Sequence, residues 1–130
     1  MDMKFQNRRK FHRINFNGKA NIEIGDESYD CCQIKNLSLT GLYIAGKFEY
    51  EQAGNCLVRF IRDGDPEKVF MQVSGKIVWG NDEGAGLQFT SMKSDHYQSL
   101  VTVLINNAEL PAIILSQIPQ QCPFEISSTD

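Results

Sequence analysis

From Ala20 to Phe89 the chain breaks into short runs of two-residue apolar alternation, most of them closed by a cluster of glycine, aspartate, asparagine or proline. Side chains alternate between the two faces of a strand, so each run has one side that other strands must cover. Ala20, Ile22 and Ile24 share a side opposite Asn21 and Glu23, and Gly25, Asp26, Glu27 and Ser28 supply a hairpin connection. A second strand is expected from Tyr29 to Leu37 and a third from Gly41 to Ala45, where Leu42 and Ile44 share a face. A fourth runs from Asn55 to Arg62 and ends at the turn-forming Asp63, Gly64, Asp65 and Pro66. The fifth and longest is Val69 to Trp79, with Met71, Val73, Ile77 and Trp79 on one face and Gly75 marking a bend or bulge within that series. A short last strand, Gly86 to Phe89, turns Leu87 and Phe89 inward.

Only one stretch has sustained helical spacing. Tyr97, Leu100, Val101, Leu104, Ile105 and Ala108 fall on one face, with Ser94 as the expected N-cap, Asp95 in the first turn and Pro111 as the stop. Six short strands followed by one helix predict a mainly β fold, a six-stranded antiparallel β-barrel capped by a C-terminal helix. A chain of 130 residues with 42% hydrophobic content suits one such domain. The expected division is a basic arm over 1–13, the barrel and helix over 14–110 and an extension over 111–130. That extension contains Ile113, Ile114, Leu115, Ile118, Phe124 and Ile126, enough apolar surface to predict packing on the barrel or on a second subunit, hence a possible homodimer.

Several function classes are disfavoured at this level. Wholly apolar runs reach only four residues, as in Ala112 to Leu115, against roughly 20 for a membrane-spanning helix, so no membrane insertion is expected. The charged N-terminus lacks the apolar stretch of an export signal, which makes a cytoplasmic location the expectation. Cys31, Cys32, Cys56 and Cys122 form no CxxC pair and read as reduced structural residues; Cys31 and Cys32 should face opposite ways on their strand. His12 and His96 belong to no metal or hydrolase motif and read as solvated, so neither a catalytic group, a metal nor a resident cofactor is expected.

Charge is distributed unevenly. Residues 1–20 carry Lys4, Arg8, Arg9, Lys10, Arg13 and Lys19 against Asp2 alone, whereas the whole chain has a net charge of −3. The basic end can attract phosphate, and the acidic remainder argues against polymeric nucleic acid. Within that end, Arg9-Lys10-Phe11-His12-Arg13 is an RxxxR sequence, and further along Asn36-Leu37-Ser38-Leu39-Thr40-Gly41 is an NxSxxG sequence at a strand connection.

These two motifs in this order resemble the PilZ domain family, as do Gly75-Lys76-Ile77-Val78-Trp79 and Gly84-Ala85-Gly86-Leu87-Gln88-Phe89 ahead of the helix. The likeness extends from about Arg9 to Asn107, with Asn36 where many members carry aspartate. It implies a non-enzymatic receptor for the bacterial second messenger cyclic di-GMP, acting in processes such as motility or exopolysaccharide regulation. Arg9 and Arg13 suit its phosphates and guanines, because a guanidinium makes bidentate bonds to phosphate or to guanine O6 and N7 and stacks on a base. Asn36 can donate to and accept from a guanine edge, Ser38 adds a hydroxyl, and Gly41 permits close backbone approach or an unusual φ. The resemblance further implies that Arg8 influences whether one nucleotide or a stacked pair is held. Trp79 reads as core from its alternation; at a barrel mouth it would stack on guanine instead.

Two other readings fit parts of the sequence. One is a PilZ-like scaffold that engages a protein partner independently of nucleotide. The other is a β-barrel for single-stranded nucleic acid, using the basic arm with Phe5, Phe11, Tyr43 and Tyr50 as stacking groups.

Overall fold

The computed structural model describes residues 13–48, 54–118 and 124–128. Six strands form the body: β1 (Ile14–Ile24), β2 (Glu27–Leu37), β3 (Gly41–Ala45), β4 (Asn55–Ile61), β5 (Val69–Gly80) and β6 (Gly84–Lys93). Their order is β3-β2-β1-β4-β5-β6, every pair is antiparallel, and a β3–β6 pairing closes the barrel. Closure leaves no free edge along the body of the sheet. Helix α1 (Ser94–Asn107) follows directly, then α2 (Pro111–Gln117) and a three-residue strand β7 (Glu125–Ser127). β7 joins β6 in parallel, a seventh strand that the sequence pattern did not indicate.

The expected six-stranded barrel with a C-terminal helix is therefore the observed architecture, and β3 has the anticipated limits. Alternation explains its core: Ile22, Ile34, Leu42, Ile44, Val58, Phe60, Met71 and Ile77 are buried inside the barrel. Leu100 and Leu104, one turn apart on α1, join this core. Several boundaries differ from expectation. β1 starts at Ile14 rather than Ala20, because Ile14 pairs with Leu37 although the intervening residues carry little apolar signal. Ser94 is the first helical residue and Lys93 takes the N-cap geometry, without a side-chain cap bond. Pro111 lies beyond the end of α1 and also opens α2, where its missing N–H costs no helical hydrogen bond. Part of the apolar extension packs on this chain: Ile114 is buried and Phe124 meets Phe89 and Tyr97 edge to face, whereas Leu115 and Ile118 are exposed.

Bulges set which residues face outward. Between Ile77 and Trp79, β5 advances two residues while β6 advances one, so Val78 is the extra residue. The bulge reverses the alternation and turns Trp79 out, 48% exposed. The core position suggested by its spacing from Met71, Val73 and Ile77 is corrected by this one inserted residue. A second bulge on β2 puts Cys31 at φ 57, with its N–H donating to Asn21 Oδ1 at 3.0 Å. Cys31 thus sits in a local left-handed kink, and the two thiols lie near different carbonyls, that of Gly64 for Cys31 and that of Tyr29 for Cys32. Gly75 lies at a register shift against β6, and a Cβ there would come within 2.8 Å of the Gln88 carbonyl. His96 is not freely solvated: its Nδ1 lies 2.9 Å from the Gln72 carbonyl oxygen and 3.3 Å from the Gln72 amide nitrogen.

Candidate functional site

Arg13 and the NxSxxG residues converge where β2 passes into β3. Between Ile34 and Asn36, β2 again advances two residues against one on β3, making Lys35 the extra residue and placing Asn36 opposite Tyr43. Leu42 and Ile44 point inward and are fully buried, so Tyr43 and Asn36 belong to the outer face. Arg13 precedes β1, whose first residue pairs with Leu37, and its Nη1 donates to Asn36 Oδ1 at 3.1 Å. Residues 23 positions apart in sequence thus meet at one point on the barrel wall.

The outward row continues across the sheet. Tyr43 pairs with Gly86 on β6, and Gly86 with Trp79 on β5. The Tyr43 and Trp79 rings lean together over Gly86 and stack at a centroid distance of 5.3 Å and an interplanar angle of 16°. A Cβ on Gly86 would sit 2.3 Å from Trp79 Nε1, and one on Gly84 2.5 Å from Tyr43 Oη. The two glycines therefore form a floor on which the rings rest. Arg13, Asn36, Tyr43 and Trp79 make a continuous outer strip with a polar end and an aromatic end.

Ser38 and Gly41 shape the turn that follows Asn36. Ser38 is 2% exposed, and its hydroxyl is engaged inside its own turn, donating to the Gly41 carbonyl at 3.3 Å and accepting from the Thr40 N–H at 3.2 Å. The Ser38 N–H also donates to the Gly41 carbonyl, at 2.9 Å. Gly41 is needed for close approach rather than for a left-handed φ: a Cβ would lie 2.2 Å from the Leu87 carbonyl oxygen. Next to it the Phe89 N–H donates to the Thr40 carbonyl at 2.8 Å. These bonds fix the turn that presents Asn36 and lock β3 against β6. Arg8 and Arg9 lie outside the described residues, as do Phe5, Phe11, Tyr50 and Cys122.

The site chemistry is that of binding. It joins a guanidinium, an amide and an exposed indole, a set matched to phosphate and base recognition. Tyr43 was recognisable from sequence only as one of several aromatics; its role becomes visible through its pairing with Gly86. Away from the strip, burial pushes the Cys56 thiol up to about 12 and the Cys32 thiol, more weakly buried and near Asp30, up to about 11. Both thiols stay protonated at neutral pH, which suits a packing role. Among the described residues no group of three or more histidine, cysteine or acidic side chains could hold a metal ion.

Comparison with known proteins gives this strip its context. The PilZ domain family matches residues 7–106, from the RxxxR segment to the end of α1. The chain belongs to the PilZ domain family. PilZ domains are non-catalytic receptor and adaptor modules of the cyclic di-GMP receptor superfamily. The PilZ domain of CeSA from a cellulose-synthesizing bacterium is 13% identical, with a TM-score of 0.59 over 73% of this chain and 96% of that one. The Bacillus subtilis inhibitor of motility MotI/DgrA is 11% identical, with a TM-score of 0.61 over 76% of this chain and 50% of its own, so this PilZ chain spans half of it. At such identities the likeness is one of fold. No curated protein matches the chain. No helix among the described residues is long and apolar enough to cross a membrane.

Proposed function

We propose that this PilZ protein is a non-enzymatic cyclic di-GMP receptor that binds nucleotide along the outer strip and passes the signal to a protein partner. The observation that carries the reading is the Arg13–Asn36 hydrogen bond, a half-buried contact that ties the second arginine of RxxxR to the first residue of NxSxxG. Arg9 and Arg13 supply charge-assisted bonds to phosphate or guanine, Asn36 reads a base edge, and Trp79 offers a stacking surface. Arg8 extends the arginine set toward a second nucleotide. Ser38 and Gly41 support the wall by shaping the turn. Ligand binding at the arginines alters the protein surface, and that changed surface is what the partner reads.

Isothermal titration with cyclic di-GMP, using GMP and an Arg9→Ala, Arg13→Ala double variant as controls, tests the proposal. Selective saturable binding lost in the double variant is the expected result, and its stoichiometry reports on Arg8. Undiminished affinity in the double variant would reject this site. No binding at all would leave a nucleotide-independent adaptor, for which capture of partners should be insensitive to nucleotide.

A further inference from the structure

We propose that Tyr43 is a positioning residue that holds the Trp79 indole with one face open to a base, an inference resting on the nucleotide-binding reading above. An indole that is 48% exposed has rotamer freedom to lose when it captures a ligand. Here that freedom is restricted before binding. Tyr43 covers one indole face in a stack 16° from parallel, which assigns the opposite face of this half-exposed ring to a planar base. The glycine floor makes the arrangement possible, because a Cβ at Gly86 or Gly84 would strike the indole or the phenol at 2.3 and 2.5 Å respectively. Tyr43 follows Asn36 in the outward row, so one side chain couples the polar wall to the aromatic surface. An indole is two fused rings wide, a size suited to purine stacking.

Trp79 is the only tryptophan in the chain, so its emission reports on this arrangement directly. The experiment compares the unaltered protein, Tyr43→Phe and Tyr43→Ala by tryptophan emission and anisotropy, without ligand and during titration with cyclic di-GMP. Tyr43→Ala should lower the anisotropy of Trp79, shift its emission to the red and raise Kd about ten-fold, with the circular dichroism spectrum unchanged. Tyr43→Phe keeps the stack and should restore the emission and affinity of the unaltered protein. Binding by Tyr43→Ala that is as tight as, or tighter than, that of the unaltered protein would overturn the positioning role while leaving the receptor reading intact. Failure of the unaltered protein to bind cyclic di-GMP would overturn both.

Discussion

The two ends of the outer strip are built on different physical terms. At the polar end, Arg13 and Asn36 meet through a side-chain hydrogen bond of 3.1 Å between the start of β1 and the end of β2. At the aromatic end, Tyr43 and Trp79 are seated on the backbone of Gly84 and Gly86 and held by ring contact. A hydrogen bond between two part-buried groups can be exchanged for one to a ligand at little net cost. Ring packing against a fixed backbone cannot be exchanged and is formed in advance. The polar end is thus equipped to change partners, and the aromatic end to present a surface that is ready before the ligand arrives.

The strongest way to break this contrast is to disturb the wall beneath both ends. Gly41→Ala forces a Cβ against the Leu87 carbonyl, and urea unfolding should show a loss of about 1–3 kcal/mol, with binding at both ends impaired. Unchanged stability would mean that β3 and β6 separate easily. Arg13→Ala separates affinity from stability at the polar end. Titration with cyclic di-GMP should show a loss of about 1.5–3 kcal/mol, ten-fold or more, while the unfolding midpoint moves little. Trp79→Ala makes the matching test at the aromatic end: about 1–3 kcal/mol of ligand stacking should disappear, again with a small change in stability because the indole is half exposed. A large fall in stability there would show that the indole is chiefly a packing residue.

The smallest expected effect sharpens the polar end. Asn36→Asp converts the contact with Arg13 into an ion pair near the surface, worth about 0–1 kcal/mol. Cyclic di-GMP affinity should shift by a few-fold at most, and the difference between the two proteins should shrink as salt is added. A salt-independent difference would assign the effect to base-edge hydrogen bonding instead of charge.

Much of the barrel could be read from the chain because local alternation and turn chemistry agree with the final topology. Leu42 and Ile44 on β3 and Leu100 and Leu104 on α1 are buried as their spacing requires. The same is true of the site's residue types: two arginines, an asparagine and a serine-glycine turn declare their chemistry without coordinates. Their division of labour does not. Ser38 reads as a ligand contact from its motif, and the structure adds what the motif does not show, that its buried hydroxyl is bonded within its own turn. Tyr43 has no motif of its own and becomes significant only because Gly86 lies across from it.

Local pattern and turn chemistry set the class of fold, the inward faces of most strands, the single long helix and the kinship of the two motifs. Which way Trp79 faces, how Asn36 is displayed and where the apolar extension packs follow from strand pairing in three dimensions. The reason is register. One extra residue on one strand of a pair, Val78 against β6 or Lys35 against β3, reverses the faces of the residues beyond it, and a two-residue period within one strand carries no information about its partner's count. The parallel pairing of β7 with β6 has the same origin, since three residues hold too little pattern to choose a neighbour until β6 is already in place.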